Sequence, residues 1–328
     1  MVVTKRLQIC VCVRGYTRLL DLLVAGLPND DIFECTGTEL PAAVERAEVL
    51  IPLVTRIPAN ILPGSRVRLI QQYGVGLDGV DIPAATRAGI AVANVPSVGT
   101  GNAESVAELA IAHLIMLMRD IPQALQRFRE RKVGSPLGRS VWGSTVLILG
   151  YGDIGQEIAR RLQGFGVRVL AVSRQGPAGR RARDPAVPLA QHVAFDQIED
   201  VLGEADALIV SAPATPENIG LVDARILRAL RPGTVLVNIA RGAVIDYTAL
   251  RTALEDGHLG GAGLDVFWQE PFDPEDPLLE CNVIATPHIG GVTSRSLEGI
   301  GRAVVANIER LRRGELPACC VNPEVWPC

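Results

Sequence analysis

Short apolar runs alternate with amphipathic stretches along most of the chain, and this alternation predicts its secondary structure. Helical periodicity is clear in TRLLDLLVAGL and PAAVERAE. The apolar runs predict strands over 7–13, 31–36, 49–54, 67–74, 91–95, 144–150, 167–173, 205–212, 234–240, 261–267 and 282–288. Strands that alternate with helices are typical of βαβ units, so the pattern predicts an α/β fold with parallel sheets.

The strands fall into two series, which predicts two doubly wound α/β units. A long apolar helix is predicted over 102–121, followed by a polar, turn-rich stretch over 123–142, and a second long helix near 293–313. A long helix at each junction suggests that the chain crosses between the units twice. We therefore expect one domain from 1–101 with 292–328 and a second domain from 102–291.

Length and charge narrow the class of protein. The chain has 328 residues, 48% of them hydrophobic, which is enough for two domains with large cores. The formal net charge of −4 argues against a nucleic-acid partner held through phosphates. The N-terminus carries no secretory signal pattern, and the apolar stretch AELAIAHLIMLM is too short to span a bilayer, so we expect a cytoplasmic protein without a membrane partner.

Seven dispersed cysteines do not form a disulfide framework. Cys10 and Cys12 could meet Cys319 and Cys320 and bind a metal if the chain ends share a domain. Reduced thiols in a core strand and a tail are the favoured interpretation, because the usual C-x₂-C spacing is missing. No metal site is therefore predicted.

A glycine-rich turn opens the second strand series. Gly150-Tyr-Gly152-Asp153-Ile154-Gly155 matches G-x-G-x-x-G, follows an apolar strand and begins a helix, which is the context that makes this pattern specific for dinucleotides. Gly150 permits the tight turn, Gly152 lets the backbone approach a pyrophosphate, and Gly155 lets helix and strand pack closely. The helix N-terminus would then face the phosphate oxygens.

The end of the following strand bears on which dinucleotide binds. An NAD site usually places Asp or Glu there, about 20 residues after the glycines, to accept from the ribose 2′-hydroxyl. Here the residues are Ser173 and Arg174, and no acid appears before Asp184. A hydroxyl and a guanidinium suit a 2′-phosphate, and Arg180, Arg181 and Arg183 add positive charge nearby. NADP(H) is therefore favoured, with NAD(H) as the alternative.

Three later stretches place polar residues at the ends of predicted strands: VNIARGAVID (237–246), GLDVFWQEP (263–271) and TPHIGG (286–291). With the glycine turn, YGVGLDGVDIPAATRAGIAVANVP (73–96), ESVAELAIAHLI (104–115) and APATPEN (212–218), they make the chain resemble the D-isomer-specific 2-hydroxyacid dehydrogenases over nearly its whole length. The resemblance implies two Rossmann-like domains, with the cofactor domain inserted in a flavodoxin-like substrate domain.

The resemblance also implies Arg241, Glu270 and His288 as the catalytic set, and the chemistry of each residue suits that role. The Arg241 guanidinium can clamp the carboxylate of a 2-keto acid and polarise the adjacent carbonyl. His288 can supply the proton that the carbonyl oxygen needs as hydride reaches the carbon. Glu270 would favour the protonated imidazole through its negative charge. His113, His192 and His258 have no such context and are expected to be structural.

Supporting roles follow from the resemblance as well. Val75 and Gly76 match the loop whose backbone amides hold the substrate carboxylate, and Asp265 matches the residue that contacts the nicotinamide carboxamide. Ala240 would lie beside the nicotinamide ring, and Pro213 and Thr215 would line the adenine side. The family forms homodimers in which the long helices of the cofactor domains pair, and the apolar face of 104–118 suits either that role or core packing.

The substrate is narrowed by one departure from the family. In phosphoglycerate-specific relatives an arginine near 51–56 meets the phosphate, whereas Pro52, Leu53 and Val54 stand here and Arg56 comes later. We therefore expect a 2-keto acid reductase for a small acid such as glyoxylate or hydroxypyruvate. The alternatives are D-3-phosphoglycerate dehydrogenase, a formate dehydrogenase, which has Gln in place of Glu270, and a dinucleotide-sensing binding protein without enzymatic activity, since fold alone does not settle function.

Overall fold

The computed structural model describes residues 6–178 and 187–326. Contacts between residues divide the chain into two compact units, with boundaries at Asn102/Ala103 and at Thr293/Ser294. The first unit takes in the chain before Ala103 and the segment from Ser294 onward, and the second unit lies between them. The assignment of substrate to the first unit and cofactor to the second stays a prediction.

The first unit begins with a series of short strands and helices. Its elements are β1 (Gln8–Val11), α1 (Thr17–Gly26), β2 (Asp31–Glu34), α2 (Leu40–Arg46), β3 (Val49–Ile51), β4 (Leu69–Gln71), α3 (Ile82–Arg87) and β5 (Ala91–Ala93). The strands form a parallel sheet in the order β2-β1-β3-β4-β5, which is the flavodoxin-like order.

Both faces of this sheet are covered, because side chains alternate between faces along each strand. In β1, Ile9 and Val11 join one apolar cluster, whereas Cys10 joins another that includes Leu40 and Val44 of α2. Such two-sided burial is expected of a parallel sheet flanked by helices.

The second unit is larger and carries a longer sheet. Its elements are α4 (Asn102–Met118), α5 (Ile121–Arg129), β6 (Thr145–Leu149), α6 (Asp153–Leu162), β7 (Arg168–Ser173), β8 (Gln191–Ala194), α7 (Glu199–Leu202), β9 (Ala207–Val210), α8 (Ala224–Ala229), β10 (Thr234–Asn238), α9 (Tyr247–Glu255), β11 (Leu259–Leu264) and β12 (Val283–Ala285). The strand order is β12-β11-β10-β9-β6-β7-β8, all parallel. With β6 taken as the first strand, β8-β7-β6-β9-β10-β11 is the Rossmann order, and β12 is one further strand.

The chain then returns to the first unit through α10 (Ser294–Arg312), whose residues Ile300, Val304, Ile308 and Leu311 pack into the cluster around Ile9. The predicted fold class, two doubly wound α/β units, is confirmed.

Two local predictions were wrong. The helix predicted over 102–121 ends at Met118, where Asp120 adopts a left-handed conformation (φ 49°), and a separate helix, α5, follows with Pro122 in its first turn. That helix occupies part of the stretch predicted to be turn-rich. Strand β8 was missed because only Val193 of its four residues is buried, which leaves little apolar signal.

Within the described residues, no helix is both long enough and apolar enough to cross a membrane.

Candidate active site

The glycine turn after β6 is shaped by close backbone approaches. Gly150 has a φ of 101°, and a Cβ there would lie 2.5 Å from the backbone nitrogen of Ala212. A Cβ on Gly155 would collide with the carbonyl oxygen of Gly150. The Ser211 hydroxyl also donates to that carbonyl at 2.6 Å. The turn therefore requires glycine at both positions.

The start of α6 offers the cradle that a dinucleotide pyrophosphate needs. Gly152 is the N-cap of this ten-residue helix, and Gly152, Asp153 and Ile154 are half-buried. The helix dipole and the first amides favour a negative group at such an end. The tight turn and the helix start thus fit a bound dinucleotide.

Ser173 and Arg174 lie where predicted, at the end of β7, but Ser173 is already engaged. Its hydroxyl shares a hydrogen bond of 2.8 Å with Nε2 of His192 and donates to the Gly176 carbonyl at 3.2 Å. Burial lowers the pKa of His192 below its ordinary value, which favours the neutral ring. Sequence reasoning left His192 as structural, yet it is the side chain that orients Ser173.

Arg174 is exposed, and its charge is felt by Glu217. The neighbouring Thr215 hydroxyl is the main reason that the pKa of Glu217 lies below its usual value, and the charge of Arg174 adds to the effect. Pro213 and Thr215 belong to the same turn, in which the Pro213 carbonyl accepts from Thr215 N (3.1 Å) and from Asn218 Nδ2 (2.7 Å). Arg180, Arg181, Arg183 and Asp184 lie outside the described residues.

Arg241 follows β10 in a loop held by Asn238. The Asn238 amide donates to the Arg241 carbonyl at 2.9 Å, and its oxygen accepts from Ala240 N at 3.0 Å. A Cβ on Gly242 would collide with the backbone of Phe267, so this loop lies directly against the one that leads to Glu270. Asn238 and Gly242 were missed from the sequence, although both stand within the ARG-containing motif.

Glu270 and His288 are in direct contact. His288 Nδ1 lies 2.7 Å from Glu270 Oε2, and Oε1 of the same carboxylate accepts from Phe267 N at 3.1 Å. Burial opposes ionisation of Glu270, but the hydrogen bond and charge of His288, the Phe267 amide and the charge of Arg241 together hold its pKa below the usual value. The structure thus brings Glu270 and His288 into contact and places Arg241 where its charge acts on Glu270.

His288 has a left-handed backbone (φ 54°), which is uncommon for a residue other than glycine. Asp265, only 2% exposed, holds this loop: its carboxylate accepts from Thr286 Oγ1 (2.7 Å), Ile289 N (2.8 Å) and Gly290 N (2.8 Å). A strained residue at a site must be supported by its surroundings, and Asp265 supplies that support. Its predicted contact with a nicotinamide carboxamide stays a prediction.

His113 stands behind Asp265. The Thr286 hydroxyl donates to Asp265, so its oxygen accepts from His113 Nε2 at 3.2 Å. His113 is 1% exposed, and burial lowers its pKa although the charge of Asp265 opposes the shift. His113 and Thr286 therefore form a buried layer of hydrogen bonds behind Asp265. No local motif in the sequence marks these two residues.

Val75 and Gly76 lie in the first unit, in the loop after β4. Asn94 Nδ2 donates to the Val75 carbonyl (2.8 Å), and Gln72 Nε2 donates to the carbonyls of Gly76 (2.7 Å) and Leu53 (2.9 Å). Gln72 thereby joins this loop to the one that contains Leu53 and Val54.

The suggested meeting of Cys10 and Cys12 with Cys319 and Cys320 was wrong. Cys320 pairs with Ala93 of β5, three strands away from β1, which is about 14 Å at a strand spacing of about 4.8 Å. The neighbour of Cys10 is instead Cys35, with 3.3 Å between their sulfur atoms.

Comparison with known proteins agrees with this geometry. Residues 111–290 match the family model described as the D-isomer specific 2-hydroxyacid dehydrogenase NAD-binding domain. The chain is 36% identical over 290 residues to a glyoxylate reductase of Thermococcus gammatolerans, covering 86% of this chain and 85% of that protein. It is also 36% identical to a D-3-phosphoglycerate dehydrogenase of Mycobacterium tuberculosis, covering 87% of this chain but only 53% of that protein.

Among solved structures, the chain is similar to an NADPH-dependent glyoxylate/hydroxypyruvate reductase of Sinorhizobium meliloti, crystallised with NADP and malonate. The TM-score is 0.82 at 31% sequence identity, over 99% of each chain.

Proposed function

Because the chain belongs to the D-isomer-specific 2-hydroxyacid dehydrogenases, and is thus an NAD(P)-dependent oxidoreductase acting on a CH–OH group, we propose that it reduces a small unphosphorylated 2-keto acid with NADPH. Glyoxylate and hydroxypyruvate are the favoured substrates. The catalytic part of this proposal rests on the contact between Glu270 and His288, with the charge of Arg241 acting on Glu270.

In this mechanism a bound nicotinamide supplies the hydride. Arg241 holds the substrate carboxylate and polarises the keto oxygen through its guanidinium. Glu270 occupies Nδ1 of His288, which leaves Nε2 to deliver a proton to the keto oxygen. In the reverse direction Nε2 accepts the proton from the hydroxyl group.

Backbone geometry supports a role for Val75 and Gly76 in binding the substrate carboxylate. A trans peptide points its N–H away from its C=O. Since the carbonyls of Val75 and Gly76 are tied to Asn94 and Gln72, the Gly76 amide points away from Asn94 and the Leu77 amide points away from Gln72. Main-chain N–H groups of this kind can bind an anion.

The loop after β3 supports a substrate without a phosphate. Gln72 links this loop to the Val75–Gly76 loop, and the loop exposes the apolar Val54, which is 70% exposed, with the exposed Arg56 two residues further along. A phosphate buried against Val54 and not paired with Arg56 would keep an unpaired charge, which is costly. Phosphorylated 2-keto acids are therefore disfavoured.

Preference for NADPH over NADH rests on the absence of an acid at Ser173 and Arg174. The exposed guanidinium of Arg174 can pair with a 2′-phosphate, and no carboxylate at this strand end repels it.

Initial rates test the function directly. We expect turnover of glyoxylate and hydroxypyruvate, with NADPH at least about tenfold better than NADH, since pairing of one charged hydrogen bond is worth roughly 1.5–3 kcal/mol. 3-Phosphohydroxypyruvate serves as the competing substrate, and Val54→Arg as the variant that should improve its use. Faster turnover of the phosphorylated acid by the unaltered enzyme would contradict the substrate assignment. No turnover of any keto acid would favour a dinucleotide-sensing protein.

A homodimer in the cytoplasm completes the proposal. The apolar residues of α4, including Val106, Ala110 and Leu114, pack within the core of the second unit, so this helix offers little apolar surface to a partner. Large apolar side chains are exposed just beyond it, at Leu125, Phe128, Val133, Leu137 and Trp142. Such exposure is typical of an interface. Light scattering should give twice the chain mass, and Phe128→Asp should give the monomer mass.

A further inference from the structure

Three cysteines of the first unit converge at the carboxyl end of its sheet. Cys10 lies in β1, Cys12 follows it by two residues, and Cys35 follows the neighbouring strand β2. Residues two apart in a strand share a face, and the register that pairs Val11 with Glu34 brings Cys35 level with Cys12. All three side chains therefore enter the same apolar cluster.

The sulfur atoms are close enough to share one ion. All three lie within 4.8 Å of one another, and Cys10 and Cys35 are 3.3 Å apart. Three sulfurs around an ion at a metal–sulfur distance of about 2.3 Å would be about 4 Å apart in a trigonal site. Shifts of a few tenths of an ångström to about 0.8 Å would reach that arrangement.

The backbone around the cluster is well held. Cys12 N donates to the Ile51 carbonyl at 2.9 Å and Cys35 N to the Val11 carbonyl at 3.0 Å, so both residues extend the sheet pairing. The Thr55 hydroxyl donates to the Cys12 carbonyl. An ion pair of 2.8 Å between Arg14 and Glu39 joins the segments that follow β1 and β2. The thiols are thus fixed by the scaffold rather than carried on a free loop.

The number and burial of the donors select the class of ion. Within the described parts of the chain, no histidine or carboxylate joins the three sulfurs. Cys10 and Cys12 are 0% exposed and Cys35 is 3% exposed, so the sulfurs are packed among apolar side chains with little room for a water ligand. Zinc takes four ligands in structural sites, whereas thiolates also select Cu(I), which is commonly three-coordinate.

We propose that Cys10, Cys12 and Cys35 form a three-thiolate site for a soft monovalent cation, with Cu(I) as the ion that fits. Binding replaces three thiol protons, which are released to solvent, so the filled site carries a net charge of −2, and the positive charge of Arg14, which acts on Cys35, offsets part of it. This site is independent of the reductase activity, because it uses none of the residues that act on substrate or cofactor.

The test uses the full-length reduced protein under anaerobic conditions, titrated with Cu(I) against a chromophoric Cu(I) chelator. We expect one Cu(I) retained per chain, a sulfur-to-copper charge-transfer band in the ultraviolet, and three sulfur neighbours by X-ray absorption. Cys35→Ala should weaken retention by on the order of 100-fold or more, since losing an outer-shell partner alone costs up to about 100-fold.

A matched variant separates this cluster from the C-terminal tail. Replacing Cys319, Cys320 and Cys328 together by serine should leave Cu(I) retention unchanged. The proposal is overturned if copper is not retained, if Cys35→Ala retains it as well as the unaltered protein does, or if the tail variant loses it. Formation of a Cys10–Cys35 disulfide with oxidised glutathione, without Cu(I) retention, would also overturn it and identify a redox pair.

Discussion

The first strand of each unit ends in a turn at the same topological position, yet the two turns are built differently. β1 lies between β2 and β3, and β6 lies between β7 and β9, so each stands where the strand order reverses. Ligands of open α/β sheets bind at such points. After β6 the turn is made of glycines and leaves a cradle of backbone, whereas after β1 the edge is filled by cysteine side chains. The same strand topology is therefore followed by a backbone turn that fits a dinucleotide in the second unit and by a cluster of cysteine side chains in the first unit.

Alanine in the two turns tests this difference and should give the largest effect. Gly150 (φ 101°) and Gly15 (φ 87°) both have left-handed backbones, so alanine costs about 1–3 kcal/mol of conformational strain at either position. Only Gly150 also meets backbone, at 2.5 Å from Ala212 N, while nothing lies within 4 Å of a Cβ on Gly15. We expect Gly150→Ala to lose a further 1–3 kcal/mol or so through overpacking.

Urea denaturation and NADPH binding by fluorescence measure the two effects. Gly15→Ala should keep the unaltered Kd for NADPH, and Gly150→Ala should weaken binding severely. Equal losses in both variants would mean that the close approach at Gly150 contributes nothing beyond its φ.

The contrast also shows what the sequence could reveal. Gly150, Gly152 and Gly155 occupy local positions with known spacing, so their turn was predictable without the structure. The cysteine cluster was not, because Cys35 is 23 residues beyond Cys12 and meets it only through the register of β1 and β2. The support of His288 was missed for the same reason: Asp265 and His113 reach Thr286 across 21 and 173 residues. Strand existence followed from apolar runs, and β8 escaped because it is mostly half-exposed.

Replacing His288 tests whether proton transfer depends on the carboxyl edge of the second unit's sheet and not on the equivalent edge of the first unit. His288→Gln keeps a polar side chain but cannot deliver a proton, so kcat for keto acid reduction should fall by about 10²–10⁴-fold. The Kd for NADPH should not change. Arg14→Gln removes an exposed ion pair at the equivalent edge of the first unit and should leave kcat nearly unaltered. A comparable fall in kcat in both variants would contradict this division of roles.

Cofactor choice sharpens the comparison at the next strand, β7. Ser173→Asp would restore a carboxylate at the strand end, where it repels a 2′-phosphate and accepts from a ribose hydroxyl. We expect the ratio of kcat/KM for NADPH over NADH to fall by about 10- to 100-fold, since a charged hydrogen bond is worth about 1.5–3 kcal/mol. His192→Phe is the companion variant: it removes the hydrogen bond to Ser173 while keeping a ring, and should change the ratio less. An unchanged ratio in Ser173→Asp would remove Ser173 from the cofactor site.

The smallest expected effect concerns His113, where side-chain contacts support the loop that carries His288, as the cysteine cluster is held by contacts in the first unit. Burial holds the pKa of His113 below its ordinary 6.5, so the unfolded chain takes up this proton at a higher pH than the folded chain does. The part of the free energy of unfolding that depends on His113 is therefore at its maximum above pH 6.5. It is lost as the pH falls from 6.5 towards the folded-state pKa. His113→Gln keeps a donor for Thr286 but does not titrate, so its free energy of unfolding should decline less steeply on acidification. Thr286→Val, which retains the histidine, should keep the steeper decline, and identical slopes for His113→Gln and the unaltered protein would show that His113 does not set it.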